Sequence, residues 1–579
     1  MKKITKYIFQ PGLSEAESLS CRKITRDLEI PLVLAELLYR RGFTSAGKAK
    51  TFLGPRLADL PSPYGLKGMA DGVGLILETI ASRGQVVIHG DYDVDGITAT
   101  VLLTNFMATL DLDVTCHIPN RMTEGYGLSM DSISRLAKKV TMPALLITVD
   151  CGISAVKEIQ FAKELGFKVI VTDHHEPSGE LPPAEAVINP KQLDCEFESK
   201  KLSGVGVAFF LAMAVRIKMV EQGFWDRETA PNLKKYLDLV ALGTVADVMD
   251  LVDINRILVT AGLEMITART RPGIWALCER AGVSEGAVTA EDISFRLAPR
   301  INAAGRIGKP QLAADLLFCR ETGEAMNRAA ALEKANATRR ELEKTALDEA
   351  VQQARQQAES GISGLVLYGS NWHPGVVGII AARVVDRFQL PVLVFTNDTA
   401  SSNGTLKGSG RSVGGLNLFH VLQQCGKCIV QFGGHAMAAG LTLLAENLDH
   451  FSEEFNRSVS VMMHDVTPEG LVIDRIMSGE DNCEEMANCL KRMEPFGQGN
   501  PEPVFLLKNI RMKTVSKLRD HLKFSLQLNG SQVHGIGFFM ADQFETASGA
   551  IDLVFKLKQT CFRGRKRIEA HAVVITPTV

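Results

Sequence analysis

Asp91, Asp93 and Asp95 alternate along His89-Gly90-Asp91-Tyr92-Asp93-Val94-Asp95-Gly96. Three carboxylates at i, i+2 and i+4 repel one another unless a cation neutralises them, and hard oxygen donors suit Mg²⁺ or Mn²⁺. A helix N-cap with a solvated acidic turn would use the same residues, so the motif alone does not decide. A calcium loop is excluded, because counting from Asp91 the place of its glutamate is held by Leu102.

Val86 to Ile88 reads as a buried parallel strand and Gly96 to Leu103 as the start of the following helix. The aspartates therefore sit at the carboxyl end of a strand, where open α/β sheets bind ligands. Three further apolar runs end on polar groups: Leu145 to Val149 on Asp150, Val169 to Thr172 on Asp173-His174-His175, and Leu239 to Ala246 on Asp247. If all are strand ends, a parallel sheet brings Asp93, Asp95, Asp150, His174 and Asp247 to one edge. Four such clusters favour a metal site over capping. The chemistry fits two divalent ions, with Asp150 as a bridging carboxylate, one ion activating water and the other stabilising a leaving oxygen. The substrate class is a phosphate ester or anhydride, and imidazole donors move the preference from Mg²⁺ toward Mn²⁺.

The chain has 579 residues, too many for one ordinary core, so three or four domains are expected. Its formal charge is -2, but Leu506 to Val579 carries 12 Lys/Arg against 5 Asp/Glu, leaving 52 against 61 elsewhere. A basic tail on an acidic body points to a polyanion partner. No apolar run reaches the roughly 18 residues of a membrane span, and the start carries no signal-peptide core. A cytoplasmic location is expected. Eleven scattered cysteines fit reduced thiols; Cys425-Gly426-Lys427-Cys428 is one CxxC without a second pair and reads as ordinary thiols rather than a zinc or redox site.

The expected architecture is α/β. A helical segment spans 1–70, followed by a doubly wound parallel sheet over 71–320, with strands at 86–89, 144–149, 168–172 and 186–188. A long exposed helix runs over 321–360, with Arg339/Glu343, Lys344/Asp348 and Arg355/Glu359 as i,i+4 pairs. A second α/β domain over 361–462 carries two glycine-rich loops, Gly408-Ser409-Gly410-Arg411-Ser412 and Gly433 to Gly440 with His435, whose backbone N–H groups could approach a phosphate beside Arg411. The segment 463–579 alternates in short basic runs and suggests an OB-type β-barrel that binds single strands; Arg563, Arg565, Lys566 and Arg567 form either part of that surface or a solvated hairpin.

Asp91-Tyr92-Asp93-Val94-Asp95-Gly96, Asp150, Asp173-His174-His175 and Asp247 resemble, in that order, the four motifs of the DHH phosphoesterase superfamily. Pro119-Asn120-Arg121 with Glu124 to Leu128, Gly204 to Ala208, Gly243 to Asp247 and Pro299 to Arg306 resemble its RecJ branch, bacterial exonucleases specific for single-stranded DNA. The resemblance implies 5′→3′ hydrolysis of single-stranded DNA to mononucleotides in repair and recombination. It implies two Mn²⁺ or Mg²⁺ ions held by Asp93, Asp95, Asp150, His174 and Asp247. His175 would lie beside the scissile phosphate, and Asp173 would orient an imidazole. His89 matches a histidine of the pyrophosphatase branch and is a sixth candidate ligand, while a strand-end histidine bonded to backbone remains open. Asp91 is placed outside the ligand set. Arg121, Arg300, Asn302 and Arg306 are candidate substrate contacts, and Ser409, Gly410, Arg411 and His435 resemble a 5′-phosphate pocket. A single-stranded-DNA-binding protein and a RecQ-type helicase are implied partners of a monomer.

Two other readings stand beside this one. A DHH hydrolase of short oligonucleotides, cyclic dinucleotides or pyrophosphate would need no OB platform. An inactive replication scaffold built on the same fold would have no reason to keep the intact ligand set.

Overall fold

A computed structural model describes residues 7–9, 12–125, 127–177, 179–283, 286–398, 404–463, 470–562 and 565–578. Two compact units emerge. One comprises Pro55–Leu342 with Pro495–Asn500, the other Met1–Gly54 with Glu343–Glu494 and Pro501–Val579.

The first unit is built on a five-stranded sheet. Its strands Gln85–His89, Asp113–His117, Ala144–Val149, Phe167–Thr172 and Ala186–Ile188 are all parallel. Ala144–Val149 is buried at every position, as a strand covered on both faces must be. In spatial order the second strand comes first, then the first, third, fourth and fifth. The direction in which successive strands are added therefore reverses between Gln85–His89 and Ala144–Val149, which run parallel. That switch point is where a doubly wound sheet opens a crevice at its carboxyl edge, and Asp91 to Asp95 leave one of these strands while Asp150 leaves the other. The helices Val94–Met107, Gly204–Glu221 and Leu237–Ala246 are buried nearly all round, so they are core elements without a polar face. Pro495–Asn500 belongs to this unit through Leu251, whose N–H donates to the Gln498 carbonyl at 2.7 Å.

Three expectations are corrected. The run ending at Asp247 is a helix, because its apolar residues cover a buried cylinder; Asp247 is its C-cap. The helix Thr322–Glu359 spans 38 residues but is not simply exposed. Ala325, Ala329, Leu332, Asn336, Arg339, Glu343, Ala346, Ala350 and Ala354 form a buried stripe along it, spaced three and four as a packed face requires. Within the segment read as helical, Tyr7–Phe9 is instead a strand paired in parallel with Leu471–Ile473, and the Arg475 guanidinium meets Glu36 at 2.7 Å.

The second unit holds a five-stranded sheet of Leu365–Tyr368, Val392–Asn397, Thr405–Arg411, Ile429–Gly434 and Ala438–Leu444, and a seven-stranded sheet over 475–577. Gly408 to Arg411 lie in a strand, not a loop. A Cβ on Gly408 would meet Phe395 at 2.4 Å and one on Gly410 would meet Leu393 at 2.6 Å, so these glycines make room for core side chains. Ser409 and Arg411 then point to the opposite face. In the seven-stranded sheet Ala550–Phe562 pairs with Arg565–Pro577 as a long hairpin; Arg563 lies outside the described residues. Among the described residues no helix is long and apolar enough to cross a membrane, and the described cysteines are free thiols.

Candidate metal centre

Asp93 is the N-cap of Val94–Met107, and its Oδ1 accepts from the Gly96 N–H at 3.0 Å. Capping and metal binding are therefore compatible uses of one carboxylate. Asp95, in the first turn of the helix, is held from the other side. The Gly204 and Val205 N–H groups, at the start of Gly204–Glu221, donate to its two oxygens at 2.6 and 2.9 Å, where unpaired amides and the helix dipole favour an anion.

Asp150 takes a left-handed conformation with φ 60°. A non-glycine residue there costs on the order of 1–3 kcal/mol, and the strain aims its side chain into the crevice. A Cβ on Gly204 would come within 2.5 Å of the Asp150 carboxyl, and one on Gly243 within 2.7 Å of Asp95 Oδ1. Glycine at both positions lets two helices close on the carboxylates.

His174 Nε2 lies 3.1 Å from Asp150 Oδ1, 3.5 Å from Asp247 Oδ2 and 3.9 Å from Asp95 Oδ2. Potential ligand atoms converge within 4.8 Å in three overlapping sets: Asp150, His174 and His175; Asp95, His174 and Asp247; Asp91, Asp93 and Asp150. His174 Nε2, Asp150 Oδ1 and Asp91 Oδ1 are buried without a hydrogen-bond partner. Orphaned buried acceptors are costly, and a divalent cation is the group this oxygen and nitrogen set fits.

The electrostatics agree. Burial first, then neighbouring carboxylates, push Asp95 and Asp150 well above the usual aspartate range; burial and Asp93 raise Asp247 to about 7. Burial holds His174 at about 3, so its imidazole is neutral and able to ligate. Carboxylates that bind protons more tightly folded than unfolded stabilise the metal-free fold at low pH. That stability is lost as pH rises from about 4, the ordinary aspartate value, through about 7. A divalent cation replaces those protons. Mn²⁺ should therefore raise the Tm of stripped protein more at about pH 8 than at about pH 5, and equal gains by calorimetry would contradict the assignment.

Asp173 serves His175. Its Oδ1 accepts from His175 Nδ1 at 2.7 Å and from the His174 and His175 N–H groups at 2.7 and 3.0 Å, and its Oδ2 accepts from the Ile153 N–H at 2.9 Å. Burial disfavours the imidazolium, but the Asp173 hydrogen bond and charge outweigh it and raise His175 to about 9. The His175 side chain is 38% exposed. Asn189, at the end of the fifth strand, fixes the loop by donating to the His175 carbonyl at 2.9 Å. Asp173→Asn should lower kcat about 10–100-fold at saturating metal, measured by single-turnover hydrolysis.

His89 is not brought into the cluster. It is fully buried, held at about 3 by burial and then His117, with Ser132 Oγ at 3.4 Å from Nε2 and Cys151 Sγ at 4.0 Å from Nδ1; it is a core histidine behind the strand end. Asp91, placed outside the ligand set from sequence, has a carboxylate oxygen within 4.8 Å of those of Asp93 and Asp150; its alternation with Asp93 and Asp95 was the signal. Arg121 stacks over Tyr92 at 5.2 Å, and Arg306 acts on the same ring electrostatically, so both cations border the cluster. Asn302 is half-buried on the helix Ala298–Arg306. Arg300 departs from its expected role. It is 9% exposed, bonded to Glu333 at 2.5 Å and to the Arg296 carbonyl at 2.6 Å, and braces two helices.

In the other unit, Arg411 Nη1 lies 2.7 Å from the Gly410 carbonyl and 3.5 Å from Ser409 Oγ. A Cβ on Gly378, in the first turn of Val377–Phe388, would meet Ser409 Oγ at 3.1 Å and the Arg411 guanidinium at 3.5 Å. The hairpin Ile429–Gly434 to Ala438–Leu444 places Ala438 opposite Arg411, with His435 exposed at its turn. A hydroxyl, a guanidinium and a helix N-terminus thus share one face.

The chain matches the DHH family, N-terminal domain, over residues 85–244, the DHHA1 domain over 361–460 and the RecJ OB domain over 473–573. It is 37% identical to the "single-stranded-DNA-specific exonuclease RecJ" of Salmonella typhimurium, over 96% of this chain and 98% of that one. The Bacillus subtilis protein of the same name is 36% identical over 89% of this chain, which spans 64% of that relative. Among solved structures, RecJ of Thermus thermophilus in complex with Mn²⁺ has a TM-score of 0.83 at 29% identity, over 100% of this chain and 80% of that one. With the motifs in order, the parallel sheet opening on them and this likeness over nearly its whole length, the chain belongs to the RecJ family.

Proposed function

We propose that this chain is a divalent-metal-dependent exonuclease specific for single-stranded DNA, on the observation that five carboxylates and two imidazoles converge at the switch point with Asp91 Oδ1, Asp150 Oδ1 and His174 Nε2 buried and without a hydrogen-bond partner. The finer reading is 5′→3′ release of mononucleotides with two ions per site. Asp91, Asp93, Asp95, Asp150, His174 and Asp247 would hold them. When bound, divalent ions supply a hydroxide nucleophile at neutral pH and neutralise charge on the phosphate.

The chain's own residues do the rest. The Gly204 and Val205 N–H groups fix Asp95 in place and favour its ionised form against the burial that opposes it, so the donor set is preorganised. Asp173 maintains His175 as an imidazolium below about 9, which offsets charge developing on the phosphoryl oxygens. Arg121 and Arg306 offer guanidinium groups for the neighbouring phosphates. Ser409, Gly410, Arg411 and His435 are assigned to the 5′ end, because a terminal phosphate carries an extra charge that a guanidinium beside a helix N-terminus detects. The basic 506–579 segment is assigned to the strand beyond. A single-stranded-DNA-binding protein and a RecQ-type helicase are the proposed partners of a monomer, by family likeness alone.

The test is a time course with 5′-labelled and 3′-labelled single strands and duplexes in Mg²⁺, Mn²⁺ or EDTA. Immediate release of labelled mononucleotide from the 5′-labelled single strand, abolished by EDTA, is expected. Early release from the 3′-labelled strand would reverse the direction, and equal cutting of duplex would remove the specificity.

A further inference from the structure

Cys425 precedes and Cys428 closes the short turn Gly426–Cys428 that joins the helix Leu418–Gln424 to the strand Ile429–Gly434. The helix Leu448–Met463 runs beside it. That helix buries Phe451, Phe455 and Val459 in the core, and at four-residue spacing the neighbouring row is His450, Glu454 and Ser458. This row lies along the turn. Cys428 Sγ is 3.6 Å from Glu454 Oε2, His450 Nε2 is 3.8 Å from Glu454 Oε1, and Cys425 Sγ is 3.8 Å from Ser458 Oγ. Potential ligand atoms of Cys428, His450 and Glu454 all lie within 4.8 Å of one another.

We infer that Cys428, His450 and Glu454 form a second metal site, separate from the carboxylate centre, that takes a zinc-class cation with solvent as the fourth ligand. The donor types set the metal. Thiolate with imidazole selects a borderline-soft ion, and one sulfur, one nitrogen and one oxygen from protein leave a tetrahedral ion open at one position. Mg²⁺ is disfavoured by the sulfur. His450 and Glu454, one turn apart on a helix, project together without rearrangement. On binding, the Cys428 S–H proton leaves to solvent as the metal–sulfur bond forms. Cys425, turned to Ser458, is outside the donor set.

A redox pair is the competing use of CxxC, and the surroundings oppose it. Reactive cysteines have lowered pKa values in electropositive surroundings, whereas burial raises Cys425 to about 11 and burial with the Glu454 carboxylate pushes the Cys428 thiol up. A cation reverses that second penalty. The site would clip the helix Leu448–Met463 to the turn and so brace the domain carrying Ser409 and Arg411, a role independent of whether the carboxylate centre acts as proposed.

The test is spectroscopic. The full chain, reduced and stripped of metal, is titrated with Co²⁺, whose thiolate charge-transfer absorption reports sulfur ligation alone; the carboxylate and imidazole donors of the other centre contribute none. One thiolate-bound cobalt per chain is expected, displaced by Zn²⁺, lost in Cys428→Ser and retained in Cys425→Ser. His450→Ala should weaken it by more than about 100-fold, and since the His450 side chain is 66% exposed that variant folds normally. No charge-transfer band in the native chain, a band surviving Cys428→Ser, or a band lost in Cys425→Ser would each overturn the assignment.

Discussion

Asp150→Ala should lose on the order of 10³-fold or more of kcat on single-stranded DNA while the chain stays folded. The side chain contributes little core volume, yet its carboxylate belongs to two of the three converging ligand sets. Substitution does not relieve the left-handed strain, because alanine is no more at ease than aspartate at φ 60°. Substitution also removes a buried carboxylate whose proton affinity is raised by burial and by repulsion from Asp95, Asp93, Asp247 and Asp91, so the metal-free variant should melt no lower than the parent at neutral pH. Near-parental turnover in saturating Mn²⁺ would show that Asp150 is not a ligand. A collapse in Tm would show that its role is structural.

The expected effect of Arg411→Ala depends on the substrate end. A hydrogen bond to a charged group contributes roughly 1.5–3 kcal/mol, so kcat/KM on 5′-phosphorylated strands should fall about 10- to 100-fold. Strands with a 5′ hydroxyl should lose far less. The guanidinium is not needed to hold the strand Thr405–Arg411, whose pairing to both neighbours is through backbone. Equal losses on both substrates would make Arg411 a general backbone contact. Ser409→Ala should follow the same pattern more weakly, since a hydroxyl donates one neutral hydrogen bond.

The parallel strands of the catalytic unit were legible because each is a continuous apolar run, the mark of a strand buried on both faces. Asp113–His117 was not, being an edge strand with exposed or half-buried side chains. Leu239 to Ala246 shows the limit of the same signal. A short, wholly buried helix and a buried strand have the same composition, yet Asp247 still reached the cluster because the helix ends there. The glycines of Gly408 to Arg411 misled in the other direction: without coordinates, room made for Phe395 and Leu393 is indistinguishable from a phosphate-binding loop. Arg300 and His89 sit beside site residues in sequence, but burial and partners, which spacing does not encode, give both of them structural work. Cys428 with His450 and Glu454 is a long-range juxtaposition of the same kind, silent in sequence because its partners lie more than twenty residues apart.

Manganese anomalous diffraction from crystals of the full chain tests the central claim most directly. Two peaks are expected among the carboxylate oxygens of Asp91, Asp93, Asp95, Asp150 and Asp247 and the imidazole of His174, separated by roughly 3.5–4 Å as paired catalytic ions are, with neither against His89. Peaks absent from this cluster at saturating Mn²⁺, or ligated by other side chains, would contradict the account.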